Sequence, residues 1–289
     1  MKRLALAFVL IAATGAHAHD SFDIDGGCSP RNFRFGEGAS FVARETIDGS
    51  GLNSIRAKVT NGPIFVIGDS RDGYSIEVCK AAAYAEDLAA SRVSLDGNEL
   101  RADGPDHKRW TVAYRVHVPR NADVTVDAKN GPVSFRNVDG RVLAHSANGP
   151  LSLQSVSGNV DATTKNGPIS VRGGSGNMKV QATNGPLSID LDGNAWEGGS
   201  LNASTQNGPL SLKLPRGYNS GVVVESTGRG PFSCRAEACE QWRAERRKTS
   251  DDGHHSWDAH VRPQRVELGN GRTDVHITTV NGPVTIKDE

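Results

Sequence analysis

One triplet constrains this chain more than any other feature of it. Asn61-Gly62-Pro63, Asn130-Gly131-Pro132, Asn148-Gly149-Pro150, Asn166-Gly167-Pro168, Asn184-Gly185-Pro186, Asn207-Gly208-Pro209 and Asn281-Gly282-Pro283 repeat the same three residues, and Arg229-Gly230-Pro231 is a degenerate further copy. The four copies from Asn130 to Asn184 are spaced by 18 residues. Asn-Gly between alternating strands ordinarily signals a two-residue hairpin. Proline argues against it here, because it has no N–H to send back across the turn, and it holds the preceding glycine extended where the hairpin needs ψ of about 0°. Each triplet is therefore expected to be a corner: Asn tolerates the left-handed region, Gly turns the chain, and Pro opens a new strand in which its missing donor is harmless.

The flanks of the corner alternate with period two. Val124, Val142, Val160, Met178 and Leu201 stand six residues before the Asn, and Val126, Ala144, Ala162, Val180 and Ala203 stand four before it. After the corner come Val133/Phe135, Leu151/Leu153, Ile169/Val171, Leu187/Ile189 and Leu210/Leu212, always with Ser between the two. Each unit thus reads strand, corner, strand. One unit cannot bury its apolar stripe alone, whereas stacked units make a continuous core. The expected fold is all-β: a β-solenoid (parallel β-helix) with coils of about 18 residues, each advancing about 4.8 Å. An antiparallel β-sandwich is the alternative. Val160, Leu151 and Ile169 are expected buried in adjacent coils.

Residues 1–18 read as a signal peptide: Lys2 and Arg3 precede an apolar run that ends in Ala16-His17-Ala18. Residues 19–119 form an N-terminal β-rich lobe and cap, 120–233 the regular repeats, 234–273 an insertion with a polar helical run, and 274–289 a terminal pair of repeat strands. Within the lobe, Lys80–Ala90 suggests a short helix, Asp96-Gly97 a hairpin turn, and Trp110–Pro119 the strand that enters the repeats. No later stretch is long and apolar enough for a membrane helix. Without Lys2 and Arg3, 31 basic side chains face 33 acidic ones, which makes no electrostatic case for nucleic acid. An exported protein of the periplasm or cell surface is expected. Cys28, Cys79, Cys234 and Cys239 are disulfide candidates in that compartment, with the pairing left open.

Chemistry is harder to find. His19, exposed by signal cleavage, and the adjacent His254 and His255 are candidate metal ligands, but no further histidine at a defined spacing completes either set. Solenoids also host enzymes that cleave polysaccharides, which cluster carboxylates or a basic residue on one outer face. Arg136, Gln154, Arg172, Asp190 and Lys213 occupy equivalent outer positions, and Lys129 and Lys165 both stand just before a corner. Lys129, Arg136, Lys165 and Arg172 are candidate contacts to a polyanion, at about 10 Å along the axis. Paired carboxylates do not accompany them, and the serine row lacks a nearby His-Asp pair. No catalytic residue and no cofactor is assigned.

The stretch VHVPRNADVTVDAKNGPVSF, followed by repeats of the NGPLSL…SGN kind, resembles the bacterial putative-adhesin family, a domain of unknown function built of β-strand repeats in exported envelope proteins. The proline after each Gly departs from the acidic or polar residue expected there. The resemblance implies a β-solenoid in the envelope whose partner is an envelope protein or a glycan, and it brings no catalytic residues with it. The expected role is a non-enzymatic, adhesin-like surface. The alternatives are a carbohydrate-binding or carbohydrate-cleaving β-helix and a metal-binding protein using His19 or His254/His255.

Overall fold

A computed structural model describes residues 28–36, 40–106, 109–228, 230–244, 264–269 and 274–289. The protein is all-β, with two sheets of eleven strands that do not close into a barrel. Each repeat gives a long arm to one sheet and a short arm to the other. Arg141–Asn148, Asn159–Asn166 and Asn177–Asn184 lie side by side in the long-arm sheet; Leu151–Gln154, Ile169–Arg172 and Leu187–Asp190 lie side by side in the short-arm sheet. The two arms flanking residues 148–150 pair not with each other but with the same arm of the next unit, in parallel: Val142 faces Val160, and Leu151 faces Ile169. Parallel pairing runs through every repeat from 123 to 214.

The ladder passes through the corner almost unbroken. Gly149 N–H donates to Asn166 O at 2.9 Å and Leu151 N–H to Pro168 O at 2.9 Å, so only the proline between them fails to donate. No corner asparagine has positive φ; at the first four corners the glycine has it instead, +144° in Gly149 and +150° in Gly167, whereas Gly185, Gly208 and Gly282 do not. Close approach matters as much as the angle, because a methyl group on Gly167 would run into the carbonyl oxygen of Gly149. Asparagine is therefore at these corners for its side chain and not for its backbone.

Inward residues build one core. Val142, Ala144, Val160 and Ala162 on the long arms meet Leu151, Leu153, Ile169 and Val171 on the short arms, all buried. Small residues on one sheet and larger ones on the other keep the two sheets close-packed.

Both ends of the stack depart from chain order. The first unit, Ser54–Asn61 with Ile64–Asp69, sits directly beside Asp123–Asn130 and Val133–Arg136, although about half the lobe separates them in sequence. The intervening chain widens both sheets. Trp110–Pro119, Tyr74–Ala82 and Phe41–Gly49 extend the short-arm sheet, the last two antiparallel, and the Arg92–Asp96/Glu99–Asp103 hairpin extends the other. The helix there is only Ala85–Ala90. Lys80, Ala81 and Ala82 instead continue the strand, held between Phe41–Gly49 and Trp110–Pro119. At the far end, Val275–Asn281 and Val284–Asp288 slot between the Leu201–Leu214 unit and the unit of Val222–Ser226 and Phe232–Cys234. Cys28 is paired with Cys79 and Cys234 with Cys239. The former disulfide holds residues 28–36 on the outer face of the short-arm sheet, where Phe33 packs with Ala81 and Ala113.

Candidate functional site

The corners stack into an edge. From Asn130 onward, each Asn Nδ2 donates to the Oδ1 of the unit before it: Asn130 to Asn61 at 2.9 Å, Asn148 to Asn130 at 3.1 Å, Asn166 to Asn148 at 2.9 Å and Asn184 to Asn166 at 3.0 Å. Asn207 and Asn281 continue the series at 2.9 Å each. A parallel stack at a repeat of about 4.8 Å brings identical amides into this register, as in stacked cross-β assemblies. The result is a straight polar rail of seven side chains along one side of the molecule.

Two polar faces flank the rail. On the short-arm sheet the serine row is in register, Ser134 beside Ser152, Ser170, Ser188 and Ser211, each half-buried. Beside it runs Arg136, Gln154, Arg172, Asp190, Lys213. Asp190 takes Lys213 Nζ at 3.1 Å and Arg172 Nε at 3.6 Å, so Arg172 is committed to a neighbour. On the long-arm sheet, Asp127 meets Arg56 at 2.9 Å and His145 at 3.4 Å, Lys58 meets Glu99 at 2.8 Å, and Lys179 meets Asp161 at 4.0 Å. A shallow depression of about 450 Å³ lies here among Lys58, Asp127, Lys129 and His145.

These placements divide the four cations expected to share a polyanion. Lys129 and Lys165 lie on the long-arm sheet and Arg136 and Arg172 on the short-arm sheet, on outer surfaces that face opposite ways across the common core. Each pair is two units apart. His19, His254 and His255 lie outside the described residues. Among the described residues, no group of three or more His, Cys, Asp or Glu is arranged to hold a metal ion.

One cluster has no signal in the sequence. Asp69 ends the first short arm and takes Arg71 Nε at 2.7 Å and His117 Nδ1 at 3.2 Å. The Arg71 hydrogen bond holds the Asp69 carboxyl below its usual 3.8, against the opposing effect of partial burial. Ser75 stands across the strand pair from His117. Asp69 and His117 are far apart in the chain and meet only because Trp110–Pro119 returns beside Ile64–Asp69.

A second concavity lies where the rail begins. It measures about 370 Å³ and is lined by Asn32, Phe33, Phe35, Asn61, Pro63 and Trp110, among others. Trp110 is fixed there: its Nε1 donates to Pro105 O at 2.8 Å. The chain at Gly104 lies flat on its indole, so that a Cβ on Gly104 would come within 2.9 Å of three ring carbons.

No protein-family profile matches this chain, and none of the curated proteins is significantly similar to it. Three solved structures are similar to it in their course. A "putative cell adhesion protein" from Clostridium sporogenes ATCC 15579 shares 10% identity at a TM-score of 0.33, covering 86% of this chain and 100% of its own. A "putative adhesin" from Bacteroides fragilis NCTC 9343 shares 13% at 0.41, and another from Parabacteroides distasonis ATCC 8503 shares 12% at 0.25; each covers 86% of this chain and 97% of its own.

Proposed function

We propose that the protein is an exported, non-enzymatic, adhesin-like β-solenoid that presents a rigid polar surface to an envelope protein or glycan. The observation that carries this reading is the asparagine rail with its in-register flanking rows. Stacking fixes these side chains at a regular spacing before any partner arrives, so little conformational freedom is lost on binding. Several charges of the flanking faces pair within the stack, while Lys129, Lys165 and Arg136 have no ion-pair partner among the described residues, which suits a surface that must stay soluble without pairing edge to edge. In this reading residues 1–18 are removed on export, residues 19–119 cap the stack, 120–233 supply most of the surface, and 234–273 and 274–289 finish the far end.

The test is retention of envelope material by the mature, disulfide-intact protein. Lys129→Glu with Lys165→Glu reverses charge beside the rail on one face, and Arg136→Glu with Arg172→Glu does so on the other. Retention lost with one pair and kept with the other, at unchanged thermal stability, identifies the binding face. Turnover of a polysaccharide that disappears in Arg136→Ala or Arg172→Ala overturns the non-enzymatic reading.

A further inference from the structure

The concavity at the first corner combines three features that meet nowhere else among the described residues. The first is an aromatic floor, in which Phe35 and Trp110 are only part-buried and Phe33 lies beneath. Trp110 is held on both counts that matter, its N–H spent on Pro105 O and its ring lying against Gly104. The second is a polar group with capacity left over. Asn61 accepts from Asn130 but, unlike Asn130 and Asn148, whose Nδ2 also reaches a backbone carbonyl at 3.2 Å, its own amide nitrogen donates to no partner among the described residues. Every later Asn donates backward along the rail, so the first is left with its donor unused. The third is a fastened wall, since the Cys28–Cys79 disulfide pins the segment carrying Asn32, Phe33 and Phe35 to the sheet.

We infer that this groove binds a sugar ring of a glycan chain. A pyranose offers an apolar C–H face and a rim of hydroxyl and ring oxygens. A preset aromatic surface accepts the former, and an amide N–H with no other acceptor takes the latter. The volume lies in the range of small-ligand clefts, roughly 300–1,000 Å³, and the aromatic Phe33, Phe35 and Trp110 share the lining with the polar Asn32, Arg34 and Asn61. The proposal rests on the non-enzymatic surface reading above and names the ligand class of one part of that surface. The groove opens at the head of the rail, so a longer glycan seated here continues along the asparagines.

The experiment follows the Trp110 indole N–H by NMR while the mature, oxidised protein is titrated with chitotetraose, cellotetraose and tetragalacturonate, with affinities from calorimetry. At least one oligosaccharide is expected to shift that resonance. Phe35→Ala and Asn61→Ala, each on a part-exposed side chain, are expected to weaken its binding about tenfold. Lys287→Glu, exposed at the far end of the stack, leaves it unchanged, and circular dichroism and thermal melting report that each variant is folded. Silence of the Trp110 resonance with all three sugars, or affinity unaltered in both groove variants, overturns the assignment. Retention of envelope material with a silent groove removes this proposal and leaves the surface reading standing, whereas sugar turnover removes that reading itself.

Discussion

At the scale of single residues, the proline that prevents a hairpin creates a second difficulty, and the chain meets it at three corners. In a parallel stack each backbone N–H bonds to a carbonyl of the next unit, so every corner proline leaves one neighbouring glycine carbonyl without its backbone donor. Buried carbonyls are costly when unpaired. At three corners a threonine two residues before the Asn supplies the missing hydrogen, while Ala128 and Ala182 at other corners have none to give: Thr205 Oγ1 donates to Gly185 O at 2.8 Å, Thr279 to Gly208 O at 3.3 Å, and Thr164 to Gly149 O at 3.5 Å. Ser146 occupies the same place but its hydroxyl finds no partner. The two sites separate by mutation. Thr205→Val keeps the shape and removes the donor, and is expected to cost about 1–3 kcal/mol in denaturant unfolding. Ser146→Ala removes a hydroxyl that bonds to nothing and is expected to be neutral or slightly stabilising. Equal effects at the two sites exclude this role for the hydroxyl.

Among elements, the asparagine rail is a cooperative part of the structure and not an ornament of the corners. Asn166 both donates to Asn148 and accepts from Asn184, while Asn281 ends the series and makes one such bond. Asn166→Ala therefore removes two side-chain hydrogen bonds and Asn281→Ala one, at about 0.5–1.5 kcal/mol each. A thermal-melting series in which the interior variant loses about twice as much as the end variant supports the rail; equal losses argue that the amides act separately. The strands themselves were readable, because period-two alternation on both sides of a proline corner leaves few arrangements that bury Val160, Leu151 and Ile169 together. The role of the asparagines was not. Asn-Gly suggests a backbone demand, and only the stacked geometry reveals that the left-handed angle falls to glycine, at the first four corners, while Asn bonds along the axis. The stretch from Lys80 misled for a related reason. Its alanines favour helix locally, but two flanking strands claim their backbone groups. The groove at Trp110 had no local signal at all, since Phe35, Asn61 and Trp110 are brought together by the return of the chain.

Over the whole molecule, order in sequence and order in space part company at the far end. The last unit, Val275–Asn281 with Val284–Asp288, is the final stretch of chain, yet it has neighbours on both sides: the Leu201–Leu214 unit and the Val222–Cys234 unit. Equivalent stripes explain why the sequence does not say which neighbour each unit takes, for any unit presents the same period-two face. Placement is set instead by the loop that precedes the displaced unit. Asn219 N–H bonds to Asn194 O, and Ser220 Oγ accepts from Trp196 N–H, both at or below 2.8 Å, so the chain is anchored to the 191–200 loop before it enters Val222–Ser226. That strand then starts one unit farther along, and the gap waits for the terminal unit. It follows that residues 222–234 complete their pairing only once the end of the chain is in place. Deleting residues 275–289 is expected to leave protected amides throughout 123–214 and to remove protection in hydrogen exchange from 232–234 and from those amides of 222–226 that bond to Val275–Asn281, the others staying bonded to Gln264–Leu268, because an edge of the stack is opened on both sheets. The shortened protein should also self-associate, since exposed parallel edges pair with other chains. Undiminished protection over 222–234 would mean that this unit closes directly onto Leu201–Leu214, and that the terminal strands occupy a gap which nothing holds open.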